Sequence, residues 1–134
     1  MNTTIMVLVA LIVLATACST TKESTGSMVN DGSNSMNQPT ETFKLNGGNF
    51  YFEMNGNKAP VLRVKKGDLV RVEFTSVDGF HDLVVDEFNA ATDRVPTGQT
   101  ASVEFVADKT GTFEYYCSVD SHRAKGMFGT LIVE

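Results

Sequence analysis

From Glu41 to Glu134 the chain alternates apolar and polar residues in short runs broken by turn residues. Phe50, Phe52 and Met54 alternate with Tyr51 and Glu53; Val70, Val72 and Phe74 with Arg71 and Glu73; Val103 and Phe105 with Ser102 and Glu104; Phe113, Tyr115 and Cys117 with Glu114, Tyr116 and Ser118. Leu131 and Val133 close the series. A period of two places one face of a strand on a core and the other in water, the signature of half-buried antiparallel strands. Asn46-Gly47-Gly48, Asn55-Gly56, Lys66-Gly67-Asp68, Asp78-Gly79, Pro96-Thr97-Gly98 and Lys109-Thr110-Gly111 supply the turns. The expectation is an all-β domain over residues 41–134, with seven or eight strands in a β-sandwich or small barrel. His81 to Val85 reads as one strand, and the best helical turn lies in Asp86 to Thr92.

The first 40 residues have a different texture. Residues 5–15, IMVLVALIVLA, are an apolar run shorter than the roughly 20 residues that cross a bilayer, and they fit the core of an export signal. Ala15-Thr16-Ala17 offers the small-x-small pattern of a cleavage site, which makes residues 1–17 a signal peptide. Cys18 follows at once, so LATAC resembles a lipoprotein box and implies lipidation at Cys18; simple secretion is the alternative. Residues 19–40 are Ser, Thr, Asn and Gly-rich without apolar periodicity and cannot offset the entropy of ordering. Residues 18–40 therefore read as a lipidated cysteine and a flexible tether, with a mean reach on the order of 25 Å. The expected location is the cell envelope, periplasmic or on the outer face of a membrane.

With a net charge of −5 and no basic block, the chain is a poor partner for nucleic acid. Two cysteines, Cys18 and Cys117, make no disulfide scaffold. The chemistry concentrates between the last two strands, in YYCSVDSHRAKGMFG. Cys117 shares the inward face of Phe113 and Tyr115; His122 and Met127 follow in the same loop, and Gly126 permits the positive φ of a tight approach. The remaining histidine, His81, comes from another strand. A thiolate, two imidazoles and a thioether are the donors of a blue-copper electron-transfer site. Each residue alone is more often a core or surface side chain, and Met54 belongs with the Phe50/Phe52 face. Zinc is the competing metal, but its structural sites usually hold more than one cysteine.

This region resembles the cupredoxins, the plastocyanin and azurin family. The matching residues are Cys117, His122 and Met127 with Gly129 following, and His81 after Asp78-Gly79-Phe80; VLRVKKGDLVRVEF also looks like the family. The Cys-x4-His-x4-Met spacing is most similar to auracyanin-like members, and the resemblance covers residues 43–134. It implies a cupredoxin-like Greek-key β-sandwich, one type 1 copper ion held by His81, Cys117, His122 and an axial Met127, and a non-enzymatic electron shuttle between a redox donor and acceptor, such as a cytochrome or an oxidase. Familiar members often have Asn where this chain has Asp82. A hydrogen bond from the Ser118 hydroxyl to Asp82 would still tie the two ligand loops together, and the added negative charge would favour Cu(II).

Other copper functions need other residues. A multicopper oxidase or nitrite reductase needs more than two histidines, and a dinuclear centre needs a second bridging cysteine. A red-copper, nitrosocyanin-like centre needs an oxygen donor, for which Glu53 or Asp82 would have to serve. A copper chaperone or storage protein would expose several Met or Cys ligands; Met28 and Met36 are sparse. In the resembled family the loop histidine lies in an apolar patch. Phe80, Ala124, Gly126 and Pro96 can supply one here, with Arg123 and Lys125 as flanking charges for an acidic partner.

Overall fold

Strand β5 (Leu69–Ser76) shows why the chain folds as it does. Val70, Val72, Phe74 and Ser76 are buried, and the residues between them are partly exposed. Its neighbour β1 (Glu41–Gly48) adds Leu45, and β2 (Tyr51–Met54) adds Phe52. The computed structural model describes residues 38–134. Among them lie seven strands of four or more residues and five two-residue strands. One sheet has the order β10-β5-β1-β2-β3, where β3 is Asn57–Lys58 and β10 is Thr100–Val106. The other has the order β4-β12-β11-β7-β8: β4 is Val61–Val64, β7 Val84–Val85, β8 Ala90–Ala91, β11 Gly111–Tyr116 and β12 Phe128–Val133. A small third ladder joins β6 (Phe80–His81) to β9 (Val95–Pro96).

The sheets meet through their alternating faces. Leu45, Phe52, Val70, Val72 and Phe74 of one sheet share a buried cluster with Leu62, Val64, Tyr115, Leu131 and Val133 of the other. Phe52 contacts Phe74 edge-on at 5.7 Å between centroids and Tyr115 at 5.2 Å. Each such side chain removed from water contributes about 1.5–3 kcal/mol, so this layer is the main stabilising term. The buried Tyr115 hydroxyl donates to the Pro60 carbonyl at 2.6 Å. Its ring leaves no room for a side chain at Gly129 on the paired strand. Met54 packs at the edge of the core, as its place beside Phe50 and Phe52 predicts.

Three expectations change. Alternation does not distinguish strand direction, and two pairings are parallel: β1 with β5 and β4 with β12. The stretch His81 to Val85 is two ladders, because the chain leaves β9 after His81 and joins β8 and Tyr116 at Val84. Leu83 at the switch is held by the Thr92 hydroxyl, which accepts from its amide at 3.0 Å. The helical turn is confined to a 3-10 turn at Asp86–Phe88; Asn89 then adopts φ 49° and β8 begins. The signal, Cys18 and most of the tether lie outside the described residues. Among the described residues, no helix is long and apolar enough to cross a membrane.

Candidate metal centre

Cys117 follows the last residue of β11 and is fully buried. The loop after it is closed by its own backbone. The Cys117 amide donates to the Met127 carbonyl at 3.1 Å, and the amides of His122 and Met127 donate to Val119 and His122 carbonyls at 2.9 and 3.0 Å. A 3-10 turn at Arg123–Lys125 ends at Gly126 with φ 103°, which returns the chain to β12. This closure turns the side chains of Cys117 and His122 to the same point.

His81 arrives from the β6 ladder and is also fully buried. Its Nε2 lies 2.6 Å from the Asp78 carbonyl. A carbonyl only accepts, so Nε2 carries the proton and Nδ1 presents a bare lone pair. That lone pair faces His122 Nδ1 at 3.1 Å and Cys117 Sγ at 3.8 Å, and His122 Nδ1 lies 3.5 Å from the same sulfur. The point equidistant from the three atoms is about 2.0 Å from each, close to the metal distances of about 2.0–2.1 Å for imidazole nitrogen and about 2.3 Å for thiolate sulfur. With His81 Nδ1 unprotonated, two imidazole nitrogens and a buried sulfur converge on one point, where a soft cation would bond all three at once. Their ligating atoms form the one His/Cys/Asp/Glu group of this kind among the described residues, and it includes no carboxylate.

Burial favours the neutral forms of Cys117 and His122. Burial pushes the Cys117 thiol up from its ordinary value. Desolvation, then the neighbouring His81 and Lys125, pull His122 down, so its imidazole is ready as a neutral ligand. Met127 is fully buried on the same loop, and its methyl group lies against Gly47 of β1. Phe50 contacts the His122 ring edge-on at 4.9 Å.

A second tier of contacts surrounds the donors. The Asp82 carboxylate, only 3% exposed, accepts from the Ser118 amide at 2.6 Å and the Ser118 hydroxyl at 2.5 Å. The side chains next to His81 and Cys117 are thus bonded across the two segments. Arg94 also donates to Asp82, at 3.2 Å, and to the Ser118 hydroxyl at 2.9 Å. Sequence reasoning missed Arg94, although a buried carboxylate demands a cation and an arginine stands 12 residues on. It also missed the Asp78 carbonyl, which leaves no mark in a sequence. Arg123, expected to flank the patch as a charge for an acidic partner, is paired with Glu114 at 2.6 Å and stacks on Tyr116 at 4.0 Å.

Residues 27–134 match the copper binding proteins of the plastocyanin/azurin family. The chain belongs to that family. The structure resembles auracyanin B, with a TM-score of 0.61 and 21% identity over 72% of this chain and 91% of that one. It resembles the dithionite-reduced auracyanin of the photosynthetic bacterium Roseiflexus castenholzii equally, at 0.61 and 21% over 72% of this chain and 99% of that one. These likenesses support the cupredoxin fold. In sequence, 55% of the chain aligns at 34% identity with the copper-containing nitrite reductase of Neisseria meningitidis, of which it spans 22%. This cupredoxin therefore covers about a fifth of the length of that relative. The donor triangle and the family agree on copper as the metal, with one ion per domain.

Proposed function

We propose that this cupredoxin is a mononuclear type 1 copper protein that shuttles single electrons outside the cytoplasm. The observation that carries the reading is the donor triangle, whose centre stands at bonding distance from one thiol and two imidazoles. Copper held there supplies a one-electron Cu(I)/Cu(II) couple. His81, Cys117 and His122 would hold it, and the Met127 thioether, buried on the same loop, would be a further, weaker donor. The chain's part is to keep these donors still. Cys117 is pinned by its amide, His81 by the Asp78 carbonyl, and both segments by Asp82 and Ser118. A scaffold that holds one geometry for both oxidation states lowers the reorganisation that electron exchange requires. His122, partly exposed on its loop beside exposed Ala124 and Gly126, is the natural point of entry for electrons.

Burial favours a shuttle over a chaperone or storage protein, because Cys117 and Met127 are sealed rather than offered for metal exchange. The red-copper alternative lacks its oxygen donor: both Asp82 oxygens are occupied by Ser118 and Arg94, and no carboxylate joins the triangle. We read the domain as a carrier rather than an enzyme, exported by residues 1–17 and tethered through Cys18. Its donor and acceptor would be redox proteins. Reconstitution with Cu(II) tests the reading. The protein should develop an intense visible sulfur-to-copper band and the narrow copper hyperfine pattern in electron paramagnetic resonance. Cys117→Ser should lose the band and keep its β-rich circular dichroism. A band that survives in Cys117→Ser sinks the assignment.

A further inference from the structure

Arg94 stands where the two segments that carry His81 and Cys117 are joined. Its place is set by backbone pairing: Val95 pairs with His81 in the β6–β9 ladder, and Thr92 holds the Leu83 amide. Residues 92–95 therefore run beside residues 81–83. From there the guanidinium donates through Nε to Asp82 Oδ2 at 3.2 Å and through one terminal nitrogen to the Ser118 hydroxyl at 2.9 Å, with the Ser118 carbonyl at 3.5 Å. The same Asp82 oxygen accepts from the Ser118 hydroxyl, so Arg94, Asp82 and Ser118 close a ring of hydrogen bonds. The pair is asymmetric in exposure: the Asp82 side chain is 4% exposed and that of Arg94 52%. The carboxylate stands next in sequence to one donor and its partner Ser118 next to another, whereas the guanidinium reaches in from the surface.

We propose that Arg94 is a positioning residue that locks Asp82 onto Ser118 and offsets the carboxylate's charge beside the copper centre, so that it sets both the rigidity and the potential of the site. The inference rests on the copper reading. Its physical basis is simple. Reduction lowers the charge of the centre by one, so a nearby carboxylate favours the oxidised form and a nearby guanidinium opposes it. Asp82 alone would lower the potential; the pair is close to neutral. A planar fork also holds two acceptors in fixed register, which a lysine ammonium cannot do. Arg94 therefore has two separable roles, one through its charge and one through its shape.

The test uses the copper-loaded protein and the variants Arg94→Gln, Arg94→Lys, Asp82→Asn and the double Arg94→Gln/Asp82→Asn. Midpoint potentials are measured by spectroelectrochemistry at low and high salt. Amide exchange at Ser118 is followed by nuclear magnetic resonance in the metal-free protein. Arg94→Gln should lower the midpoint and Asp82→Asn raise it, while the double variant should lie closer to the native value than either. The shift in Arg94→Gln should shrink as salt rises, since the guanidinium is half in solvent. Ser118 should exchange severalfold faster in Arg94→Gln. Arg94→Lys should recover most of the midpoint but not the slow exchange. A midpoint in Arg94→Gln equal to or above the native one overturns the proposal, as does a double variant further from native than both singles. If the unmutated protein shows no sulfur-to-copper band, the copper reading has failed separately. Ser118 exchange then decides this inference, and equal rates in native and Arg94→Gln protein overturn it.

Discussion

Gly79 is a position where a single methyl group would press directly on a histidine of the metal centre. It has φ +90°, and a Cβ there would stand 2.8 Å from His81 Nε2 and 3.3 Å from Asn49 Oδ1. Gly98 is its control, with φ +83° and open space where the Cβ would go. Both alanine variants incur the left-handed backbone cost of about 1–2 kcal/mol. Only Gly79→Ala must also push the imidazole away from the Asp78 carbonyl, a 2.6 Å hydrogen bond whose loss adds about 1 kcal/mol, with the displacement adding more. We expect Gly98→Ala to lose about 1–2 kcal/mol and Gly79→Ala at least about 2–3 kcal/mol. For a domain of this size, 1 kcal/mol moves Tm by about 4–8 °C, so thermal unfolding of the metal-free proteins resolves the two. Copper affinity, measured against a competing chelator, should be native in Gly98→Ala. In Gly79→Ala it should fall by about 10–100-fold, the usual effect of losing the group that orients a ligating histidine. Equal Tm losses with equal copper affinities in the two variants would refute the argument that His81 is aimed by Asp78 and that Gly79 leaves it room.

Further outcomes are expected. Met127→Leu should keep copper and raise the midpoint by withdrawing a donor that favours Cu(II), while Met127→Gln should lower it; a midpoint unmoved in both would show that Met127 is not axial. Tyr115→Phe should leave the buried Pro60 carbonyl without its donor and lose about 1–3 kcal/mol in denaturant unfolding, with the copper spectrum unchanged. Mass spectrometry of the mature chain should find Cys18 at the N-terminus with a lipid attached; an intact Met1 would rule out cleavage, and an unmodified Cys18 would point to plain secretion.

Much of this was legible in the sequence, for reasons that also mark where legibility stops. Strand alternation was readable because burial on one face imposes period two, as in β5. Direction was not, because parallel β1–β5 and antiparallel β5–β10 share that period. Cys117, His122 and Met127 could be grouped because one loop carries them, and His81 because no other histidine remained. The break after His81 escaped because the apolar run continues through it. What changes there is the pairing partner, a tertiary fact. Arg94 escaped for a related reason: its meaning depends on β6 and β9 lying side by side. The role of the Asp78 carbonyl depends on backbone geometry alone. Residues that touch the metal announce themselves by chemistry, whereas the groups that aim them are chosen by proximity.

The same distinction reshapes the expectation for a docking partner. Arg123 and Lys125 flank His122 in sequence, but their charges are placed differently. Arg123 is tied to Glu114 at 2.6 Å, so its field is largely cancelled nearby. Lys125 makes no ion pair among the described residues and lies 4.4 Å over the Phe50 ring, the ring that packs against His122. Steering of an acidic redox partner should therefore depend on Lys125 more than on Arg123. At a separation of about 10 Å in water, one unit charge is worth about 0.4 kcal/mol against another, so reversing it in Lys125→Glu changes the encounter by about 0.8 kcal/mol, or about fourfold in rate at low salt. Arg123→Glu should do less. At about 1 M salt, with a screening length near 3 Å, both variants should converge on the native rate. Stopped-flow measurement of electron transfer to an acidic redox protein, across that salt range, gives the comparison. If Arg123→Glu slows association as much as Lys125→Glu, the Glu114 pair does not neutralise Arg123; if neither does at low salt, this face does not steer by charge, and the copper assignment stands without it.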